Sequence, residues 1–274
     1  FRDLVRRLPA AVAESQPWLL RTAASSCRFI GDYEQALVWS RQALAASEGT
    51  DADLWAHAVH GVIVMLTSMG RLGEARSVAE DAVRRVPDEV QAGLRADLYA
   101  YLANICRLLG RLKQSARATE QALRLDAASS SLDTQGQALL NRARLALVRL
   151  EPTVALAAFL IVLRHAEEQQ SPYYQVAAWA GLAQSHTSLG LLDAAGLALQ
   201  RARAIHGSVG ERPLDLQLSI VEGDLAQLRG EGRAAEDHYR RVLDESRENE
   251  LPAAPVHAHL GLARAAANAN EERK

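Results

Sequence analysis

The sequence predicts an all-α protein, a right-handed superhelical solenoid of antiparallel helix pairs with a period of about 40 residues. Three observations favour this class. Ala and Leu, which are strong helix formers, are abundant, whereas aromatic residues make up only 5% of the chain. No stretch shows the alternation of apolar and polar residues that is typical of a strand. Glycines recur at intervals of 39, 40, 80 and 40 residues, which indicates an internal repeat: Gly31, Gly70, Gly110, Gly190 and Gly230.

Each of these glycines marks the turn between the two helices of one repeat, because glycine closes a helix in the left-handed conformation at little cost. The interval of 80 residues contains one degenerate repeat, whose turn falls at Leu150-Glu151-Pro152. We expect residues 1–274 to form one domain of six helix–turn–helix units, with partial helices at 2–14 and 252–268. The units span about residues 15–48, 51–87, 90–126, 132–167, 172–207 and 213–248.

Small residues recur at fixed distances from each turn. Five positions after the turn, a small residue lets the second helix approach the first, and a matching small residue lies seven positions before the turn. Large side chains between these positions then pack against the small ones. The small residues of the second helices are Ala36, Ala75, Ser115, Ala155, Ala195 and Ala235, and those of the first helices are Ala24, Ala103, Ala143, Ala183 and Gly223.

Composition excludes several classes of protein. The net charge of −2 lacks the basic excess of a nucleic-acid-binding chain, so we expect no direct contact with nucleic acid. Two cysteines, Cys27 and Cys106, are too few for a disulfide framework or for a zinc site with four cysteine ligands. No apolar run reaches the roughly 18 residues that a membrane span needs. We expect a cytoplasmic protein without a membrane segment.

Both ends of the sequence continue a helical pattern, and the first residue is Phe1. We interpret the chain as a piece of a longer protein; a processed complete chain is the alternative. A repeat stack needs polar caps at its two ends. Because neither end carries one, self-association through the uncapped ends is a further expectation.

The repeats resemble the tetratricopeptide repeat (TPR) family. The pattern Gly-Asp-Tyr-Glu-x-Ala-Leu at residues 31–37, followed by Ala-Leu at 43–44, is close to the family consensus. The sequence also departs from that consensus. The aromatic residue of the second helix is present as Phe159 and Tyr239, but Ser40 and Thr119 stand at the same place in other repeats.

The spacing of 39–40 residues is longer than the 34 residues usual for TPRs. It is similar to the repeat domains of MalT-like regulators, which are large bacterial transcription activators of the LuxR type. The opening stretch, Leu-Val-Arg-Arg-Leu-Pro at 4–9 and Gln-Pro-Trp-Leu-Leu at 16–20, looks like the entry to such a domain. The resemblance implies an ATPase module before the repeats and a helix-turn-helix domain after them.

No pattern in the sequence indicates catalysis. The chain lacks a phosphate-binding loop of the Walker type and a Gly-x-Ser-x-Gly nucleophile turn. His57 and His60 lie three residues apart, and His257 and His259 two apart, but neither pair has a carboxylate or cysteine at metal-ligand spacing. We therefore predict no enzyme activity, no metal and no cofactor.

Three residues near the turns are interpreted as core residues rather than reactive groups. Cys27 and Cys106 lie four residues before their turns, on the packed side, where a thiol acts as a small hydrophobic group. His186 occupies the equivalent place in a later repeat. We expect it to be a buried imidazole with a neighbouring partner.

A repeat stack of this kind binds through its first helices, which line the concave face. The helical phase places polar and aromatic side chains there. Among them, arginines outnumber acids, and the planar guanidinium fork suits carboxylate or phosphate. We therefore hypothesise an acidic peptide or small anionic molecule near Arg107 and Arg144; ordinary surface charge is the alternative. The candidate ligand-binding residues are Trp18, Arg21, Arg28, His57, His60, Asn104, Arg107, Arg144, Gln184 and Thr187.

Two functions fit the sequence. The first is the signal-sensing part of a bacterial transcription regulator, which binds a protein, a peptide or a small anionic inducer in the concave groove. Such a sensor requires a ligand that binds its two states with different affinities. The second is a TPR scaffold that assembles other proteins without switching.

Overall fold

The computed structural model describes residues 16–29, 32–49, 51–125, 127, 132–209, 212–248, 258–263 and 265–266. All regular structure in these ranges is helical, with no strand among them, so the predicted all-α class is confirmed. The partial helix predicted at 2–14 lies outside the described residues. Of the partial helix predicted at 252–268, residues 258–263 and 265–266 are described and are helical.

Twelve longer helices occur in the described ranges, and each predicted repeat contributes two of them. The odd-numbered helices are the first helices of the repeats, and the even-numbered helices are the second helices. Their bounds are α1 Pro17–Phe29, α2 Tyr33–Ser47, α3 Ala52–Ser68, α4 Leu72–Arg85, α5 Ala92–Leu108, α6 Leu112–Leu125, α7 Leu132–Val148, α8 Pro152–Glu168, α9 Pro172–Ser188, α10 Leu192–Val209, α11 Arg212–Leu228 and α12 Gly232–Glu248.

The chain divides into two compact units, residues 1–138 and 139–274. The first unit contains α1 to α6 and the start of α7, and the second contains the rest of α7 through α12. In the first unit α1 packs on α2 and α5 on α6, while the first helices α1, α3 and α5 also contact one another in sequence. In the second unit α9 packs on α10 and on α11. The single-domain organisation of residues 1–274 stays a prediction.

The turns within the repeats close as the glycine spacing predicts. In the described turns, each recurrent glycine has a φ between +67° and +77°, and the amide after it donates to the carbonyl five residues earlier. Leu150 takes the same place in the degenerate repeat with a φ of +60°, and the Glu151 amide donates to the Ala146 carbonyl at 2.9 Å. The glycines with positive φ are Gly70, Gly110, Gly190 and Gly230, whereas Gly31 lies outside the described residues.

Close helix packing occurs at the predicted small residues. All six small residues of the second helices are completely buried, and the side chains that face glycines show why the spacing matters. A β-carbon added to Gly181 of α9 would lie 2.2 Å from the Phe159 ring of α8. One added to Gly261 would lie 2.3 Å from the ring of Tyr239. Where Ser40 replaces the aromatic residue, the corresponding distance from Gly61 is 3.6 Å, so that packing is less tight.

We expect Leu150→Gly to stabilise the chain by about 1 kcal/mol, because glycine removes the left-handed strain. Leu150 is 88% exposed, so the change removes little buried apolar surface. The reverse change, Gly110→Ala, meets no neighbouring atom within 4 Å but has a φ of +72°, and is expected to cost about 1 kcal/mol. Urea denaturation measures both, and shifts of the same sign would contradict the prediction.

We expect Gly181→Ala to destabilise the second unit by about 1–3 kcal/mol, since the added methyl overlaps the Phe159 ring. Adding Phe159→Leu should recover part of that loss, which makes the two effects non-additive in a double-mutant cycle. Gly207→Ala is the control, because a helical β-carbon there meets no atom within 4 Å and should be neutral or stabilising. Equal losses at Gly181 and Gly207 would show that the ring contact is not responsible.

Candidate functional site

In the first unit, α1 places its candidate side chains along one helix face. Trp18, Arg21 and Arg28 follow one another at spacings of three and seven residues, which puts them on the same side of the helix. Trp18 is 52% exposed, and its indole N–H donates to Gln16 Oε1 at 2.8 Å. The two arginines are half-buried. The face therefore combines an exposed aromatic ring with two guanidinium groups.

The two candidate histidines of α3 lie beside these arginines. Burial, and then the positive charge of Arg21, lower the pKa of His57, although Asp53 acts in the opposite direction. Burial also lowers the pKa of His60 to about 4, assisted by the charges of His57, Arg21 and Arg28. Both imidazoles are thus neutral at pH 7.

The half-buried His60 side chain of α3 contacts α5. It meets the Tyr101 ring edge-on, with the ring centroids 4.8 Å apart. Its Nε2 atom is buried and has no hydrogen-bond partner among the described residues. Protonation there would place a charge where no acceptor is at hand, which is the physical reason for the low pKa.

Asn104 and Arg107 of α5 are paired with each other. Arg107 Nη2 donates to Asn104 Oδ1 at 3.0 Å, so the asparagine carbonyl is already engaged. This pair and the histidines of α3 are contributed by neighbouring first helices, since α3 packs on α5. The structure thus brings candidates from α1, α3 and α5 into one layer of the first unit.

In the second unit, Arg144 of α7 reaches a partner that is distant in the sequence. Its Nη2 atom donates to Gln217 Oε1 of α11 at 3.4 Å, across 73 residues of chain. Burial lowers the pKa of Arg144, and Tyr173 and Tyr174 at the start of α9 oppose that shift. The two tyrosine rings meet edge-on, with centroids 5.1 Å apart. Sequence reasoning did not identify these tyrosines, because nothing in the repeat pattern distinguishes them.

The α9 candidates differ in accessibility. Gln184 is half-buried, whereas Thr187 is only 8% exposed. The Thr187 hydroxyl donates to the Ala183 carbonyl of its own helix at 2.8 Å. The threonine hydroxyl is therefore used within the helix, which leaves Gln184 as the more accessible of the two.

The core interpretation of the two cysteines agrees with their environment. Cys27 and Cys106 are both completely buried, and burial raises the pKa of Cys106. The expectation for His186 is wrong. Its ring is only half-buried, and its Nδ1 atom has no hydrogen-bond partner in the described part of the chain. The reason is that the turn position fixes the helix face of a residue but not the polar groups of the adjacent helices.

An ion-pair network in the second unit was not foreseen from the sequence. Arg203 of α10 donates to both carboxylate oxygens of Glu222 at 2.7 Å, and also to Asp215. These bonds raise the pKa of Arg203, with the bonds to Glu222 as the largest cause. Arg241 of α12 donates to the other oxygen of Asp215 at 2.8 Å. The network ties α10, α11 and α12 together.

The described residues contain neither a metal-binding cluster nor a membrane span. No group of three or more His, Cys, Asp or Glu side chains there is arranged to hold a metal ion. Among the same residues, no helix is both long enough and apolar enough to cross a membrane.

No protein-family model and no curated protein matches the chain. Solved structures do match it. A Rap protein complexed with Competence and Sporulation Factor has a TM-score of 0.69 at 14% identity, over 97% of this chain and 78% of that one. The Rap conjugation gene regulator of plasmid pLS20, in complex with the Phr* peptide, has a TM-score of 0.66 at 13% identity, over 93% and 74%.

A signal transduction ATPase with a tetratricopeptide repeat sensor, from Pyrococcus horikoshii, has a TM-score of 0.62 at 11% identity. The match covers 90% of this chain but only 37% of that protein's length. At such low identities the likeness shows the fold. The predicted TPR-like fold is therefore confirmed.

We expect His60 to make the stability of the chain pH-dependent. The folded chain protonates His60 only near pH 4, whereas an unfolded chain does so near 6.5, so acidification through this window favours unfolding. The contribution approaches about 1.4 kcal/mol of lost stability per pH unit. In denaturant titrations at several pH values, the free energy of unfolding should depend less steeply on pH in His60→Gln than in the unchanged chain. His259→Gln, at an exposed position, is the control; equal slopes in all three proteins would contradict the prediction.

Proposed function

We propose that this chain is a non-catalytic binding domain that receives a signal for a bacterial transcription regulator, and that it binds a peptide or protein segment along the layer of its first helices. The observation that carries the proposal is the hydrogen bond between Arg144 and Gln217. It joins α7 and α11, the first helices of the fourth and sixth repeats. Polar side chains from alternate repeats of the second unit therefore come within hydrogen-bond distance of each other.

Polar side chains that recur from repeat to repeat suit an extended ligand. A bound peptide offers backbone donors and acceptors at regular intervals, and the first helices supply side chains of both kinds at the interval of one repeat. In the first unit, the first helix α1 carries Trp18 and the arginines Arg21 and Arg28. Tryptophan and arginine are the residue types that most often carry the energy of protein interfaces.

The fold comparisons support the same function. One Rap regulator was solved in complex with the Phr* peptide, and another with Competence and Sporulation Factor. The Pyrococcus horikoshii protein joins a tetratricopeptide repeat sensor to an ATPase. We extend the proposal to a MalT-like arrangement, in which an ATPase module precedes these repeats and a helix-turn-helix domain follows them. Sequencing the gene on both sides of the segment tests that arrangement directly.

Selection from a displayed library of random peptides tests the binding function. Peptides retained by the 274-residue chain would be synthesised and titrated against variants. We expect Arg21→Ala, in the first-helix layer, to weaken at least one selected peptide by about tenfold. Arg117→Ala, at an exposed position of the second helix α6, is the matched control and should leave binding unchanged. Peptides that respond only to the Arg117 change would contradict binding through the first helices.

Hydrogen exchange with a selected peptide separates a sensor from a scaffold. A sensor needs a ligand with different affinities for two states, so binding should change protection in helices that do not touch the peptide. A scaffold predicts new protection only at the contact. Protection confined to the contact would therefore contradict the sensing role and leave the binding role intact.

A further inference from the structure

Arg144 is a half-buried cation whose side-chain partner is a neutral group. Its contact with Gln217 is 3.4 Å long, at the outer limit for an N–H to oxygen hydrogen bond. Burial lowers the pKa of the guanidinium, which shows that its surroundings disfavour the charge. A guanidinium has five N–H donors in a planar fork, and one amide oxygen satisfies only a small part of that capacity.

Arg203, in the same unit, shows the arrangement that Arg144 lacks. It is also half-buried, but it forms two parallel bonds of 2.7 Å to Glu222 and a further one to Asp215. Those carboxylates raise its pKa, the opposite direction from Arg144. Among the side chains that the structure describes, no carboxylate lies within ion-pair distance of Arg144, although the same unit provides carboxylates for Arg203 and Arg241.

We propose that Arg144 binds a carboxylate of the bound peptide. In the absence of ligand, the Gln217 side-chain amide accepts a hydrogen bond from the same guanidinium group. The carboxylate is either a Glu or Asp side chain or the C-terminal group, since both present the same pair of oxygens to the guanidinium fork. The inference rests on the proposed peptide-binding function and specifies the chemistry of its ligand.

Displacement of Gln217 follows from the relative strength of the two bonds. A bidentate guanidinium–carboxylate pair is charge-assisted and about twice as strong as a bond to a neutral acceptor. The amide that is released lies on α11, beside the new ligand, and can donate its own N–H to the peptide. Tyr173 and Tyr174 at the start of α9 favour the charged form of Arg144.

Three peptides of equal length probe the site: an oligo-glutamate and an oligo-glutamine with amidated ends, and a Gly-Ser peptide with a free C-terminus. Binding of the first indicates a side-chain carboxylate, and binding of the third a terminal one. For the peptide that binds, we expect Arg144→Ala to weaken binding by about tenfold or more. Arg142→Ala, exposed on the same helix, should leave it unchanged. Equal effects of the two changes, or preference for oligo-glutamine, would overturn the proposal.

Gln217→Glu tests the site without relying on any peptide. The substitution keeps the shape of the side chain and supplies a carboxylate from within the chain. We expect Gln217→Glu to raise the unfolding temperature, because the new carboxylate pairs with the Arg144 guanidinium. The same pairing should abolish binding of the carboxylate peptide, since the guanidinium is then occupied. Gln200→Glu, exposed on α10, adds the same charge elsewhere and should do neither. An unchanged or lowered unfolding temperature for Gln217→Glu would overturn the inference.

These outcomes separate the inference from the proposed function. If library peptides bind the first-helix layer but need no carboxylate, the binding function stands and the role of Arg144 is wrong. If no peptide is selected while Gln217→Glu stabilises the chain and oligo-glutamate binds through Arg144, the carboxylate site stands and the peptide-sensing function fails.

Discussion

Close approach of neighbouring helices at small buried residues is the constraint on which the rest of the structure depends. The alanines and the serine five positions after each turn have no exposed surface, so any larger side chain there would push the two helices of a repeat apart. Phe159 lies directly on Gly181 for the same reason. Because these contacts fix the distance between successive helices, they also place the first helices α1, α3 and α5 of the first unit side by side.

Two arginines of the second unit, Arg203 and Arg144, differ in the partners that surround them. Arg203 of α10 is engaged with two carboxylates from α11, one of which also accepts from Arg241 of α12. Arg144 is also half-buried, but the side-chain acceptor that it contacts is a single neutral amide. Removing one partner of a buried ion pair costs several kcal/mol, so the two arginines differ in how much each depends on its partners.

In the first unit, neutral histidines lie beside the arginines. Its layer places two histidines beside Arg21 and Arg28, and burial keeps both imidazoles neutral at pH 7. The positive charge on that surface at neutral pH therefore comes from the arginines alone. The Tyr101 ring and the enclosed Nε2 atom of His60 make this part of the layer sensitive to acid, since a proton there has no acceptor nearby.

The sequence by itself determined the helical class, the positions of the turns and the small residues at the helix contacts. These features are local or periodic, because the glycines of the turns and the buried alanines recur at fixed intervals along the sequence. Even the degenerate turn at Leu150 could be located, because its neighbours keep the register. Only the tertiary structure decided which polar groups meet. The Arg144–Gln217 contact, the Arg203 network and the unpartnered Nδ1 atom of His186 depend on how side chains from separate helices approach one another, and such approaches have no period in the sequence.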